Sequence, residues 1–510
     1  MNRRDFLVLG AGSTALTAAL SEMTTRGLAA DAPASTADLP GHPRDVKLNV
    51  KPVMTNIIHT DAWEGPCRWS LVTPAQEKEN AQRSFAAWSK QLREGFLGQG
   101  KEVRLMEPAH ITFAECFTIK PAEIAKLDAD RQAVDAAFVY PAGSSVSAYE
   151  IGKHLGKPIL MVGLGCRQVD IAAYCRAKGQ EAFVAKDEAE MRQIVSLLRA
   201  RKVFRETKVL FPTDRGLPAS CSVGSIFDLE GLKRRLGVEV KVIPFKELAA
   251  EMQQVLDNKP AIEEAQAAAQ ELLQKADKSF IDAKYVVRSL QFYRTLKNLM
   301  ARHGCNAFTV ECFEFCSSRL PEKWTITPCL VHALLGNQGC ASSCEADLGS
   351  LLGVRLLMSV SGKSCHQGNS DPRSEDTFRI NHSAPSMKMN GWDQPDLPYQ
   401  LGRFVTGGWG TKAVINFMNN QEKTVTVARV HPLANKLLVL KGKLVGASGW
   451  GQDLVGCSVE AVIQPPQGRC DEFLRQRLEF GNHLQWVYGD YAEPLRRLGE
   501  MLGLEVVVIA

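Results

Sequence analysis

Three short stretches of this chain carry side chains able to meet around a metal ion. Cys344-Glu345-Ala346-Asp347-Leu348 stands just before an apolar run that extends to about Val360. Gly368-Asn369-Ser370-Asp371 is followed by Asn381-His382-Ser383-Ala384-Pro385, and Gly481-Asn482-His483 heads a run of strand-forming residues. Carboxylate, amide oxygen and imidazole together suit a divalent cation such as Mn²⁺. Such a cation holds vicinal sugar oxygens and polarises a carbonyl. Each stretch also has a plain structural reading. Ser342-Ser343-Cys344-Glu345 matches a capping box, in which Glu345 serves only the following helix. Gly368 to Asp371 reads as a turn, and His382 and His483 as partly buried core histidines.

The chain holds fourteen cysteines, and Cys305, Cys312, Cys316, Cys329, Cys340 and Cys344 crowd together, with Cys365 following. Cys312/Cys316 and Cys340/Cys344 are each separated by three residues, whereas zinc and iron–sulfur sites more often use two. With Asn306 to Phe315 read as a strand, Cys312 and Cys316 fall on one face of it. Thiols buried in one core, disulfides formed after export and a cysteine-ligated redox centre all stay open. The density is low for a disulfide scaffold, and 510 residues are enough to build cores without staples.

The elements that must position these groups change character along the chain. The first residues read as a targeting peptide: Arg3-Arg4-Asp5-Phe6-Leu7 sets twin arginines before a moderately apolar run to Leu20, and small residues at Ala29, Ala30 and Ala32 offer a cleavage point. We therefore expect a twin-arginine signal over 1–32, a linker over 33–46, and a periplasmic or otherwise extracytoplasmic protein. From 47 to 201, short apolar runs such as Val134 to Tyr140 and Lys157 to Gly163 alternate with helical stretches, as parallel strands covered on both faces do. A second such unit spans 202–361, with strands at Lys208 to Pro212 and Val238 to Ile243 and helical composition from Pro260 to His303. Over 362–510 the pattern turns β-rich and antiparallel, with Thr424 to Val430 pairing Lys436 to Lys441. The expected fold class is thus α/β, two doubly wound parallel-sheet domains followed by a β-rich C-terminal domain. The formal charge of +5 is spread among mixed signs, which argues against nucleic-acid binding. After signal cleavage no apolar run reaches the roughly 18 residues needed for a membrane span.

Taken in order, these pieces resemble the L-fucose isomerase and L-arabinose isomerase family. Cys344-Glu345-Ala346-Asp347 is similar to the segment that supplies that family's first metal-binding glutamate. His382 beside Asn381 resembles a histidine ligand of the arabinose-type members. Gly481-Asn482-His483, with a strand and then Gly489-Asp490, is similar to the C-terminal histidine ligand and its surroundings. Thr424 to Arg429 resembles the family's Val-Thr-hydrophobic-Ala-Arg strand, Lys441-Gly442 its later hairpin, and Val134 to Ser145 its first domain. The resemblance implies a site of Glu345, Asn369, His382 and His483 holding a divalent metal, Mn²⁺ above all. It also implies aldose–ketose interconversion of a small sugar through an enediolate, and a homo-oligomer. Trp409 and Trp450, each between glycines, become candidates for stacking on the sugar or plain packing plugs. The chain departs from the family at Asn369, which stands where an acidic ligand and catalytic carboxylate belongs. An amide oxygen coordinates but is no general base. Glu345 is then one acid/base, with Asp371, two residues on, as the substitute for the missing carboxylate, and Asn369→Asp is expected to raise activity. A second reading stays open, in which an exported carbohydrate-binding or repurposed protein keeps this fold without the reaction.

Overall fold

The computed structural model describes residues 41–59, 72–114 and 119–510. The twin-arginine signal and the linker up to residue 40 lie outside the described residues. Six parallel strands form the first sheet: β1 (Leu48–Ile57), β2 (Val103–Leu105), β3 (Ala109–Phe113), β4 (Ala136–Pro141), β5 (Ile159–Val162) and β6 (Ala182–Ala185). β1 is its hub, pairing with β2, β3 and β4, and the edge runs on through β5 to β6. The second sheet is also parallel, in the order β11-β10-β7-β8, from β7 (Lys208–Pro212), β8 (Glu239–Ile243), β10 (Ala307–Val310) and β11 (Ala341–Cys344). All four residues of β10 and of β11 are buried, as expected of parallel strands with both faces covered. The stretch rich in Ala, Glu, Gln and Leu is two helices, Lys259–Lys275 and Ala283–His303, parted by the short β9 (Lys278–Ser279).

The C-terminal part is an antiparallel barrel. It is made of β12 (His366–Ser374), β13 (Thr377–His382), β16 (Thr424–Val430), β17 (Lys436–Ser448), β18 (Val459–Gln464) and β19 (His483–Tyr488). The order β16-β19-β12-β13-β18-β17 returns to β16, so the ring is closed and leaves no edge among its six strands. β20 (Glu505–Ile509) joins β17 in parallel. A hairpin of β14 (Tyr399–Arg403) and β15 (Thr411–Ile415) pairs instead with β9.

One helix joins the second sheet to the barrel. Leu348–Ser361 is apolar on nearly every side, all but its last two residues are buried, and it packs against β11, β16 and β19. Its glycines permit that approach: a Cβ on Gly349 would stand 2.7 Å from the Val430 carbonyl, and one on Gly353 would stand 2.2 Å from Gln485 Oε1. Asp347 caps its start, accepting from the Ser350 N–H at 3.0 Å.

The sequence reading and the structure differ at Asn306 to Phe315. The strand ends at Val310, Glu311 caps a new helix over Cys312–Ser317, and Cys312 and Cys316 stand one helical turn apart instead of on one face of a strand.

Arg355, in the joining helix, is wholly buried and, among the described residues, bonds only neutral oxygens: Thr207 Oγ1 at 3.1 Å and the carbonyls of Gly339, Gly41 and Val203 at 3.1–3.3 Å. Burial lowers its pKa to about 10. Arg355→Met fills the volume but strands these oxygens, and is expected to cost about 2–3 kcal/mol. The check is a lower urea midpoint at unchanged m-value.

Candidate metal centre

β10 and β11 run parallel in the register Val310↔Cys344, so the residues that follow them, Glu311 and Glu345, leave the carboxyl ends of adjacent strands at the same level. Glu345 and Ala346 then take up left-handed backbone, φ 61° and 51°, before Asp347 starts the helix. Two consecutive left-handed residues other than glycine are costly, and such strain gathers at functional sites. Here the sharp turn separates Glu345 from the helix. Asp347, not Glu345, is the cap, so the capping-box reading of Glu345 does not hold.

His382 ends β13 and His483 begins β19. β12 lies between the two strands, with Asn369 in register with both Asn381 and His483. The barrel thereby sets the two imidazoles side by side, their ring centroids 5.4 Å apart. Glu345 reaches both: Oε1 is 3.4 Å from His382 Nε2, and Oε2 is 3.6 Å from His483 Nε2. Among the described residues, Glu345, His382 and His483 form the group whose ligand atoms all lie within 4.8 Å of one another, the arrangement that can hold a metal ion. Both Nε2 atoms are buried and, among the described residues, lack a hydrogen-bond partner. A buried polar atom left unpaired is costly. Two of them aimed at one carboxylate are a donor set that suits a cation.

The other face of each ring is held. His483 Nδ1 lies 3.0 Å from Asp347 Oδ2, and Asp347 Oδ2 is 2.7 Å from Arg429 Nη1, all three side chains being 0–2% exposed. A carboxylate on Nδ1 keeps the proton there and turns the Nε2 lone pair to the site. His382 Nδ1 faces the Cys457 sulfur at 3.8 Å. Ser222 Oγ donates to Glu345 Oε2 at 3.1 Å and lies 3.3 Å from His483 Nδ1.

The electrostatics favour a cation. Burial would raise the Glu345 carboxyl, but His382 and the charge of His483 outweigh it and hold it below its usual range. Burial would lower His382, but Cys457 and Glu345 raise it to about 10. Asp347 falls to about 2, Arg429 and His483 overcoming its burial. Glu311 moves the other way. Burial raises it, the Glu314 and Phe313 N–H groups pull it back, and the Glu314 and Glu345 carboxylates push it up again, for a net rise.

Of the residues singled out from sequence, then, Glu345, His382 and His483 come together. Asn369 sits beside them in register, but its Oδ1 accepts a hydrogen bond from Asn482 Nδ2 at 2.5 Å. Asp371 is half-exposed, pairs with Arg379 at 3.2 Å and stands outside the group of three. The loops of Trp409 and Trp450 are tied to each other, by Arg403 to Asp453 at 2.9 Å and by the Gly456 N–H to the Phe404 carbonyl at 2.8 Å, next to Cys457. The cysteine crowd does not form a metal-holding group among the described residues.

Sequence reasoning missed Glu311. It is 1% exposed, its Oε2 accepts from the Glu314 N–H, and among the described residues its buried Oε1 lacks a partner. It also missed the supporting roles of Asp347, Arg429, Ser222 and Cys457.

No family model matches the chain, and comparison with curated proteins finds no match either.

Proposed function

We propose that this protein is an exported, metal-dependent aldose–ketose isomerase of the L-fucose and L-arabinose isomerase type, with its two parallel sheets the cores of doubly wound domains. The observation that carries this reading is the meeting of Glu345 with the unpaired Nε2 atoms of His382 and His483. A divalent ion, Mn²⁺ above all, would be held by Glu345, His382 and His483, and when bound supplies Lewis acidity to the carbonyl and adjacent hydroxyl oxygens of a sugar.

The chain's own residues do the rest. Glu345 brings the negative charge and Asp347 fixes the orientation of His483. The acid/base is Glu311. Its raised pKa suits a group that takes a proton from the carbon next to the carbonyl and returns it to the neighbouring carbon, the substrate passing through an enediolate. The carboxylate absent at Asn369 is thus supplied from the end of β10, and neither Asp371 nor an Asn369→Asp change is needed for the reaction.

The test is a screen of pentoses and deoxyhexoses for aldose–ketose conversion with Mn²⁺-loaded protein, with Glu311→Gln beside it. Glu311→Gln is expected to lower kcat about 100-fold while Mn²⁺ affinity stays within a few-fold, as titration calorimetry would show. Metal binding with no turnover on any sugar would favour a carbohydrate-binding protein that keeps the site without the reaction.

A further inference from the structure

The two imidazoles of the centre are steadied by different chemistry. Behind His483 stands a carboxylate with an arginine behind it, a pair that oxidants leave alone. Behind His382 stands a thiol. Cys457 Sγ, 3.8 Å from His382 Nδ1, also lies 3.6 Å from Ser383 Oγ, and the same hydroxyl donates to Cys329 Sγ at 3.2 Å. Two free thiols therefore share one hydroxyl oxygen, one of them in contact with a ligand of the centre. Cys457 is partly exposed and Cys329 buried, so an outside reagent meets Cys457 first. Cys457 stands in the loop before β18, between Gly456 and Ser458. Cys329 opens the helix Cys329–Asn337.

We propose that Cys457 is an oxidative-modification site that controls the metal centre by forming a disulfide with Cys329, a reading that rests on the metal site proposed above. The oxidant is a small-molecule disulfide of the glutathione class. The Cys457 sulfur attacks one sulfur of that disulfide, the small S–S bond breaks, and one small thiol leaves carrying a proton. The Cys329 sulfur then attacks the mixed disulfide at Cys457. The second small thiol leaves with the second proton, and one protein disulfide remains for one small disulfide reduced. A disulfide brings its sulfurs to about 2.05 Å. The bond turns the Cys457 sulfur, which faces His382 Nδ1 at 3.8 Å, into a disulfide sulfur tied to Cys329 and no longer a thiol partner of the ring. His382 loses the partner that orients it, and loss of such a partner weakens metal affinity about 10–100-fold.

The experiment treats the purified full-length protein with oxidised glutathione, maps disulfides by non-reducing peptide mass spectrometry, and measures Mn²⁺ binding before treatment, after it, and after dithiothreitol. The expected result is a linked Cys329–Cys457 peptide and at least a tenfold loss of Mn²⁺ affinity. Dithiothreitol restores the affinity, and Cys329→Ser, which binds Mn²⁺ normally when reduced, shows no such loss. No link, a link of either cysteine to Cys312 or Cys344 instead, or a Cys329–Cys457 link with unchanged affinity overturns the proposal. Failure of the reduced protein to bind Mn²⁺ overturns the metal reading and with it the control, and the peptide map, which needs no metal, shows separately whether the pair forms.

Discussion

Glu345→Gln is expected to weaken Mn²⁺ binding at least about 1,000-fold, some 4 kcal/mol, and to reduce any isomerase activity to background. The change is nearly isosteric and keeps the left-handed turn at φ 61° as strained as it was, so the fold is expected to persist. The amide oxygen can still accept from Ser222 Oγ. What is lost is the only carboxylate of the three-residue group, and with it the charge that faces both Nε2 atoms. The readout does not need a substrate. A ligand that binds only the folded state at 100 times its dissociation constant stabilises it by about 2.7 kcal/mol, so Mn²⁺ should raise the Tm of the unaltered protein and a chelator should reverse the rise. In Glu345→Gln the same Mn²⁺ concentration should leave Tm unmoved. A variant that binds Mn²⁺ as tightly as its parent would remove Glu345 from the centre.

How far the sequence reaches depends on the residue. The strand pair Thr424–Val430 and Lys436–Ser448 is legible because its apolar runs are bounded by turn residues, and the register Val430↔Leu437 follows from the short turn. Glu345, His382 and His483 are legible as chemistry, since acidic and imidazole groups beside apolar runs stand out. Their convergence is not legible from spacing. It requires β12 to pair with both β13 and β19, and the helix Leu348–Ser361 to press β11 against the barrel, both long-range events. Glu311 was hidden by its neighbours. Between Val310 and Cys312, with Phe313 and Phe315 beyond, it reads as a strand interior, whereas it caps a new helix. The capping-box reading put the helix cap at Glu345, whereas Asp347 is the cap. Asn369 looked like a defect because sequence places it in line with the ligands, whereas the structure gives its oxygen to Asn482.

Arg429→Met is expected to destabilise the protein by about 3–5 kcal/mol, because it leaves the Asp347 carboxylate buried without its partner. Arg429 also donates to the carbonyls of Phe480 at 2.8 Å and Gly224 at 3.0 Å, tying the segment before His483 to the loop that carries Ser222. The variant should therefore loosen Mn²⁺ binding as well, though less than Glu345→Gln does. A double-mutant cycle separates the pair from these carbonyl bonds. Asp347→Asn added to Arg429→Met should cost clearly less than the sum of the single changes, since the second removes the charge the first left exposed to an apolar interior. The pH dependence gives a second handle. Asp347 is held at about 2 in the folded protein, against 3.8 for an ordinary aspartate, so its stabilisation is fully present above 3.8 and is lost as pH falls toward 2, roughly 2 kcal/mol in all. Arg429 is the chief group holding that carboxyl down. Without it the folded-state value rises toward the unfolded one, so less stability remains to be lost on acidification. Urea midpoints measured between pH 2 and 6 should show the deficit of Arg429→Met against its parent largest near pH 6 and narrowing as pH falls toward 2. Additive single changes, or parallel pH profiles for parent and variant, would show that Asp347 and Arg429 do not act as a pair, and the fixed orientation of His483 would need another cause.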